Sequence, residues 1–137
     1  MQLSLLDRKF MEPNDAGKLN SLQLAYIGDV VWEALVRTDL VLKKLNVHHM
    51  HDQCIRFVNA HAQAEWLALL RSTLTEEETE IVRRGKNAHA HHSAPKNQQP
   101  ADYAAATAFE ALLGYLYLTG NEERIRQISD IIMKHQV

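Results

Sequence analysis

The chain has 137 residues, 46% of them hydrophobic and 23% charged, with a formal net charge of −2 at pH 7. This length and apolar content fit one compact domain over residues 1–137 and are too small for two ordinary domains. The overall charge is not that of a uniformly basic nucleic-acid-binding protein, but residues 83–99 hold four basic side chains and no acid. Positive charge is therefore concentrated in one segment of an otherwise acidic chain.

The sequence predicts neither a targeting signal nor a membrane span. The first residues, MQLSLLDRKF, carry Asp7 and no long apolar stretch, so they match neither a secretory signal nor an anchor. The longest apolar segment, residues 104–118, is interrupted by Glu110. Cys54 is the only cysteine, which excludes an internal disulfide and fits a reducing compartment. We therefore expect a soluble, cytoplasmic protein.

The first half of the chain has helical periodicity. Asn20 and Gln23 resemble a capping box, and the apolar pattern that follows predicts a long helix to about Leu35. Its apolar residues lie almost all round, which is typical of a central, buried helix. A short helical piece is predicted at about 39–45, and residues 49–70 fit either two helices or one bent helix.

A second capping box, Thr75 with Glu78, begins the next predicted helix, which Gly85 would end. The acidic run that starts at Glu76 is typical of a solvated first turn, where negative charge is favourable. Residues 85–99 show no periodicity and consist largely of small, polar and turn-forming residues. They predict a long surface loop.

Pro100 suits a first helical turn, and the next helix is predicted to run to about Leu118 and to close at Thr119-Gly120. Asn121 then caps a final amphipathic helix. No strand pattern is present, so the predicted fold is all-α. The inner face of the final helix consists of Ile125, Ile128, Ile131 and Ile132.

Two of the predicted helices each contain one acid in apolar surroundings: Asp29 in LAYIGDVVWEALV and Glu110 in YAAATAFEALLGYLYL. No lysine or arginine lies within a helical turn of either, and an unpaired buried carboxylate is costly. Gly28 and Gly114 lie near these acids and would let two helices approach closely. Packed together, the helices would present both carboxylates to one Mg²⁺ or Mn²⁺ ion. The alternative is that either acid faces solvent or caps a neighbouring helix.

Histidine-rich stretches offer a competing prediction. HHMHDQC at residues 48–54 and HAHH at residues 89–92 resemble zinc-binding sequences, and His51 and Cys54 are spaced for one helical face. No second matched pair completes a tetrahedral set, so exposed histidines are the simpler interpretation. A helical zinc-dependent regulator remains the corresponding hypothesis.

Several motifs resemble those of the ribonuclease III family. LQLAYIGDVVWEAL is similar to the family's signature helix, and ATAFEALLGYLYL is similar to its second catalytic helix. Together with RRGKNA and PKN, they most resemble the short Mini-III branch, which consists of the catalytic domain alone. The resemblance extends over about residues 19–119. It implies an all-α homodimeric endonuclease domain that uses Mg²⁺, with Mn²⁺ as a substitute, to cut double-stranded RNA. It also implies precursor ribosomal RNA of the large subunit as the natural substrate.

The resemblance assigns roles to particular residues. Asp29 and Glu110 fall on the family's signature aspartate and late catalytic glutamate, which implies metal binding and catalysis. Tyr26 falls on an aromatic residue that packs into the partner subunit. The basic segment is expected to contact RNA phosphates and 2′-hydroxyls. Its predicted RNA-binding residues are Arg83, Arg84, Lys86, Asn87, Lys96 and Asn97.

The chain departs from the longer family members at three acidic positions, where it has Leu22, Ala25 and Thr107. The groups that complete the metal shell are therefore open; Glu33 and Asp102 are candidates through water, or are simply solvated. The lost acids also motivate a rival hypothesis, a non-catalytic RNA-binding or ribosome-associated dimer. Retention of both Asp29 and Glu110 favours the enzyme.

Overall fold

The structure is a computed structural model that describes residues 9–88 and 99–135. Within these ranges the chain is helical and contains no strand, as expected for an all-α fold. The predicted loop lies mostly outside them, at residues 89–98. The α-helices are α1 (Pro13–Gly17), α2 (Ser21–Leu42), α3 (Val47–Val58), α4 (Ala60–Leu70), α5 (Glu76–Lys86), α6 (Pro100–Leu118) and α7 (Glu122–His135).

The predicted helix ends are confirmed where a side chain caps the backbone. Asn20 Oδ1 accepts a hydrogen bond from the Gln23 N–H at 2.9 Å, and Thr75 Oγ1 accepts one from the Glu78 N–H at 3.1 Å. In both cases the side chain at the third helical position bonds back, which completes the capping box. Pro100 begins α6 as predicted. The N–H groups of a first helical turn have no acceptor within the helix, so a proline there costs no hydrogen bond.

Helix α2 differs from its prediction in two ways. It continues without a break to Leu42, so the separate helix predicted at about 39–45 is wrong. It is also not buried all round, because Leu22, Tyr26 and Val30 form an exposed apolar stripe. These residues recur every four positions and therefore share one face of the helix. The 49–70 region resolves into two helices, α3 and α4.

Helix α5 contains two further differences. Gly85 does not end the helix; it lies within α5, where an added Cβ would be 2.6 Å from the Cα of Ala108 in α6. Glu78 is not solvated either, since only 4% of its surface is exposed. Arg124 of α7 donates to both of its carboxylate oxygens, at 2.9 and 3.0 Å. This bidentate ion pair joins α5 to α7.

Helix α6 is the centre of the fold, and α2, α4 and α5 pack around it. Its residues from Ala106 to Phe109 and from Ala111 to Tyr117 are buried. Phe109 meets Trp32 of α2 edge to face, with ring centroids 5.2 Å apart. Trp32 and Trp66 both donate their indole N–H to the carbonyl of Phe57 at 3.0 Å, which fixes α2, α3 and α4 together. Among the helices of residues 9–88 and 99–135, none is both long and apolar enough to cross a membrane.

Candidate active site

The crossing of α2 and α6 depends on two glycines. An added Cβ on Gly28 would lie 1.7 Å from the carbonyl oxygen of Glu110, and one on Gly114 would lie 1.9 Å from the carbonyl oxygen of Leu24. Each distance is far below a van der Waals contact, so the two backbones touch only because both side chains are absent. The prediction that these glycines allow close helix approach is confirmed.

This crossing brings the carboxyl groups of Asp29 and Glu110 together, as predicted. The pKa of Glu110 is raised to about 8, first by burial, then by its hydrogen bond with Asp29 and by the negative charge of Asp29. The Gln63 amide acts in the opposite direction. Glu110 therefore keeps a proton at neutral pH that a nearby cation would displace.

Asp29 is exposed, and Glu110 is half-buried. The interpretation of Asp29 as a buried acid is therefore wrong, and the alternative that it faces solvent is correct for this residue. Asp29 lies on the same side of α2 as the exposed Tyr26 and Val30. The carboxylate pair thus lies at an open surface, where a polymeric substrate has access to it.

The donor set fits a hard divalent cation. Two carboxylates in contact supply anionic oxygen ligands of the kind that Mg²⁺ and Mn²⁺ prefer, and a cation would relieve their mutual repulsion. In the described part of the chain, no group of three or more His, Cys, Asp and Glu side chains is arranged to hold a metal.

Gln63 is a site residue that the sequence analysis missed. It lies on α4 with only 2% of its surface exposed, and its Nε2 is 3.5 Å from Glu110 Oε2. The sequence does contain an indication of it: Gln63 falls between Ala62 and Trp66 on the buried side of α4, where an apolar residue would be expected. A polar side chain at such a buried position needs hydrogen-bond partners.

The two additional acids that were considered for the metal shell are both paired. Glu33 accepts from Arg37 on the next turn of α2, at 2.6 Å. Asp102, in the first turn of α6, lies 3.0 Å from Nδ1 of His61 on α4. The hydrogen bond with Asp102 is the main reason that the pKa of His61 is raised.

The basic residues at the end of α5 have different surroundings. Arg83 is exposed and bonded to Glu80, and Asn87 is exposed. Arg84 donates to the backbone carbonyls of Gly17 and Leu19, so it also anchors the connection between α1 and α2. Lys86 is half-buried, and burial lowers its pKa. The remaining two predicted RNA contacts, Lys96 and Asn97, lie outside the described residues.

Comparison with known proteins identifies the family of this all-α domain. The ribonuclease III domain family matches residues 22–121. A Mini-ribonuclease 3 of Symbiobacterium thermophilum is 49% identical over 111 residues, covering 80% of this chain and 85% of the relative. One of Brevibacillus brevis is 48% identical over 115 residues, covering 83% and 85%.

A solved structure is similar as well: the crystal structure of a Fusobacterium nucleatum protein has a TM-score of 0.81 at 30% identity, covering 88% of this chain and 96% of that one. The fold and the matched domain are those of a ribonuclease III. The chain belongs to the Mini-ribonuclease 3 group of this family. It is an endoribonuclease, and enzymes of this family depend on metal ions.

Proposed function

We propose that this protein is a Mg²⁺-dependent endoribonuclease that cuts double-stranded RNA and leaves 5′-phosphate and 3′-hydroxyl ends. Its natural substrate is a precursor of the large-subunit (23S) ribosomal RNA in the cytoplasm. The observation that carries the proposal is the contact between the Asp29 and Glu110 carboxyl groups at an open surface. Membership of the Mini-ribonuclease 3 group supports the choice of RNA.

The residues of the site have separate tasks. Asp29 and Glu110 would hold the cation through their carboxylate oxygens, and Glu110 would have to release its proton to act as a ligand. When bound at these carboxylates, Mg²⁺ would supply an activated water for in-line attack and would stabilise the leaving 3′ oxygen. Because Asp29 is exposed, a phosphodiester group of a duplex reaches the pair without entering a cavity.

Affinity for RNA comes from the end of α5 and the segment that follows. Arg83 and Asn87 present exposed donors, and Lys86, Lys96 and Asn97 extend the same basic stretch. Arg84 contributes its remaining donors while holding the α1–α2 connection. Such contacts read the shape of A-form RNA through phosphates and 2′-hydroxyls, so binding weakens as salt rises.

The exposed stripe on α2 supports a homodimer. Tyr26 is 84% exposed, and Arg37 and Val41, further along the same face, line an apolar pocket of about 210 Å³ with Leu40 and Met50. In an isologous dimer each subunit offers both features. The Tyr26 ring of one protomer then fills the pocket of its partner. Two sites on one duplex each cut one strand, giving staggered 3′ overhangs.

Tyr26→Asp is expected to dissociate this dimer, because a carboxylate replaces the aromatic ring at the centre of the interface. Sedimentation velocity at micromolar concentration measures the change. Leu42→Asp is the matched control, since Leu42 is also an exposed apolar residue of α2, with 74% of its surface exposed, and the helical repeat places it nearly opposite Tyr26. A Tyr26→Asp protein that sediments like the wild type would rule out this interface.

Cleavage of long double-stranded RNA by the purified protein tests the enzymatic proposal. We expect cutting with Mg²⁺ or Mn²⁺, no cutting in EDTA, and no cutting of a single strand of the same sequence. Ligation of the products after the reaction detects the 5′-phosphate ends. If the protein binds duplex RNA but never cuts it across a range of salts and metals, the non-catalytic RNA-binding dimer becomes the better hypothesis.

A further inference from the structure

The buried amide of Gln63 is unusual for its position. Helix α4 packs against α6, and Gln63 is one of its buried residues together with Ala62, Trp66, Leu67 and Leu70. A leucine or methionine there would pack without polar requirements. A buried amide instead costs free energy unless its donors and acceptor are bonded.

Within the described part of the chain, only the nitrogen of that amide is hydrogen-bonded. Gln63 Nε2 donates to the carbonyl of Val58 at 3.2 Å and lies 3.5 Å from Glu110 Oε2. Its Oε1 accepts no hydrogen bond from any described residue. Oε1 and Nε2 share one carbon, so this oxygen without a donor belongs to the amide group that contacts Glu110. Among the described residues, the Gln63 side chain therefore contributes a buried oxygen without a donor on the α4 side of the Glu110 carboxyl group.

We propose that Gln63 is the third protein group of the metal site, a positioning residue that orients Glu110 through Nε2 and keeps Oε1 for the cation or its bound water. This inference rests on the proposed function. Amide oxygens are ordinary partners of hard cations and of their waters. The arrangement also explains how the site works with Leu22, Ala25 and Thr107 in place of acids. Groups that orient a metal ligand commonly contribute 10–100-fold to metal affinity.

A purely structural role would have different consequences. If Gln63 served only to bond Val58 at the junction of α3 and α4, its replacement would lower the melting temperature and leave metal affinity unchanged. If it serves the metal site, affinity changes independently of stability. Metal affinity and metal-free stability therefore separate the two roles.

The experiment titrates Mn²⁺ into RNA-free protein by calorimetry and measures the melting temperature in EDTA and in Mn²⁺. Gln63→Met, similar in length but without an oxygen, is expected to bind Mn²⁺ at least about tenfold more weakly than wild type. Gln63→Glu keeps an oxygen in place and adds charge, so it is expected to bind several-fold more tightly. Gln127→Met, on the exposed side of α7, is the control and should bind as the wild type does.

The outcomes are distinct. Wild-type affinity in Gln63→Met would overturn the inference and leave the proposed function intact. If Gln63→Met does not fold, the Gln63→Glu protein is the test. A Mn²⁺ affinity of Gln63→Glu equal to that of the wild type would then overturn the inference. A wild-type protein that binds no divalent cation would contradict both this inference and the proposed function.

Discussion

Asp29→Asn and Glu110→Gln are each expected to lower the rate of double-stranded RNA cleavage on the order of a thousandfold, equivalent to about 4 kcal/mol of transition-state stabilisation. Both changes keep the shape of the side chain and remove its negative charge. Among the described residues, two carboxyl groups meet at this site, so replacing either one removes half of the negative charge that would balance the cation. The ratio kcat/KM with Mg²⁺ on a defined duplex measures the loss.

Matched surface variants serve as controls for this prediction. Asp130→Asn on α7 and Glu76→Gln in the first turn of α5 remove one exposed charge each, away from the α2–α6 crossing. Both should cut at the wild-type rate. Activity within about tenfold of the wild type in either site variant would mean that the carboxylate pair is not the catalytic centre.

The stability of the Glu110→Gln protein shows whether its lost activity comes from misfolding. This variant should be less active than the wild type but, without metal, more stable. Between pH 4.5 and about 8 the folded chain keeps a proton on Glu110 that the unfolded chain has released. Without metal, this group therefore makes the wild type less stable as pH rises through that range, by about 1.4 kcal/mol per unit of pKa difference. Glutamine has no such dependence.

In EDTA, urea denaturation should accordingly show Glu110→Gln to be the more stable protein at pH 9, with the difference shrinking towards pH 4.5. Mg²⁺ should stabilise the wild type and leave the variant nearly unchanged, because only the wild type holds the ion. If the variant is less stable than the wild type at pH 9 in EDTA, its lost activity would be explained by a damaged fold.

Local sequence patterns were sufficient for most of the helices and for the meeting of the two acids. The capping boxes and Pro100 act within a few residues of where they stand, and Gly28 and Gly114 lie near the acids in the sequence, so periodicity and spacing reveal them. The exposure of Asp29 was not predictable in this way. Leu22, Tyr26 and Val30 make α2 apolar on every side, and a pattern of apolar residues does not tell a core face from an interface face.

The remaining errors arise from contacts between distant parts of the chain. Glu78 resembles an ordinary first-turn acid until Arg124, 46 positions later, buries it in an ion pair. Gly85 resembles a helix end until Ala108 occupies the space of its missing side chain. Gln63 comes within 3.5 Å of Glu110 only because α4 packs beside α6. In each case the deciding partner lies on another helix.

Gly114→Ala is expected to destabilise the fold on the order of 3 kcal/mol, even though alanine is favoured over glycine inside a helix by about 1 kcal/mol. The new methyl group would lie 1.9 Å from the carbonyl oxygen of Leu24, and a backbone atom in a helix cannot move aside as a side chain can. Helices α2 and α6 would have to separate. Urea denaturation in EDTA measures the loss.

Gly17→Ala is the control, because no atom lies within 4 Å of the added Cβ, and it should leave stability unchanged or raise it slightly. Equal stability of the Gly114→Ala and Gly17→Ala proteins would show that the helices are not in backbone contact. Gly28→Ala extends the prediction to the site, since its methyl group would press on the carbonyl of Glu110 itself. Where that variant still folds, it should bind Mn²⁺ more weakly, because the separation that admits the methyl group also moves Glu110 away from Asp29.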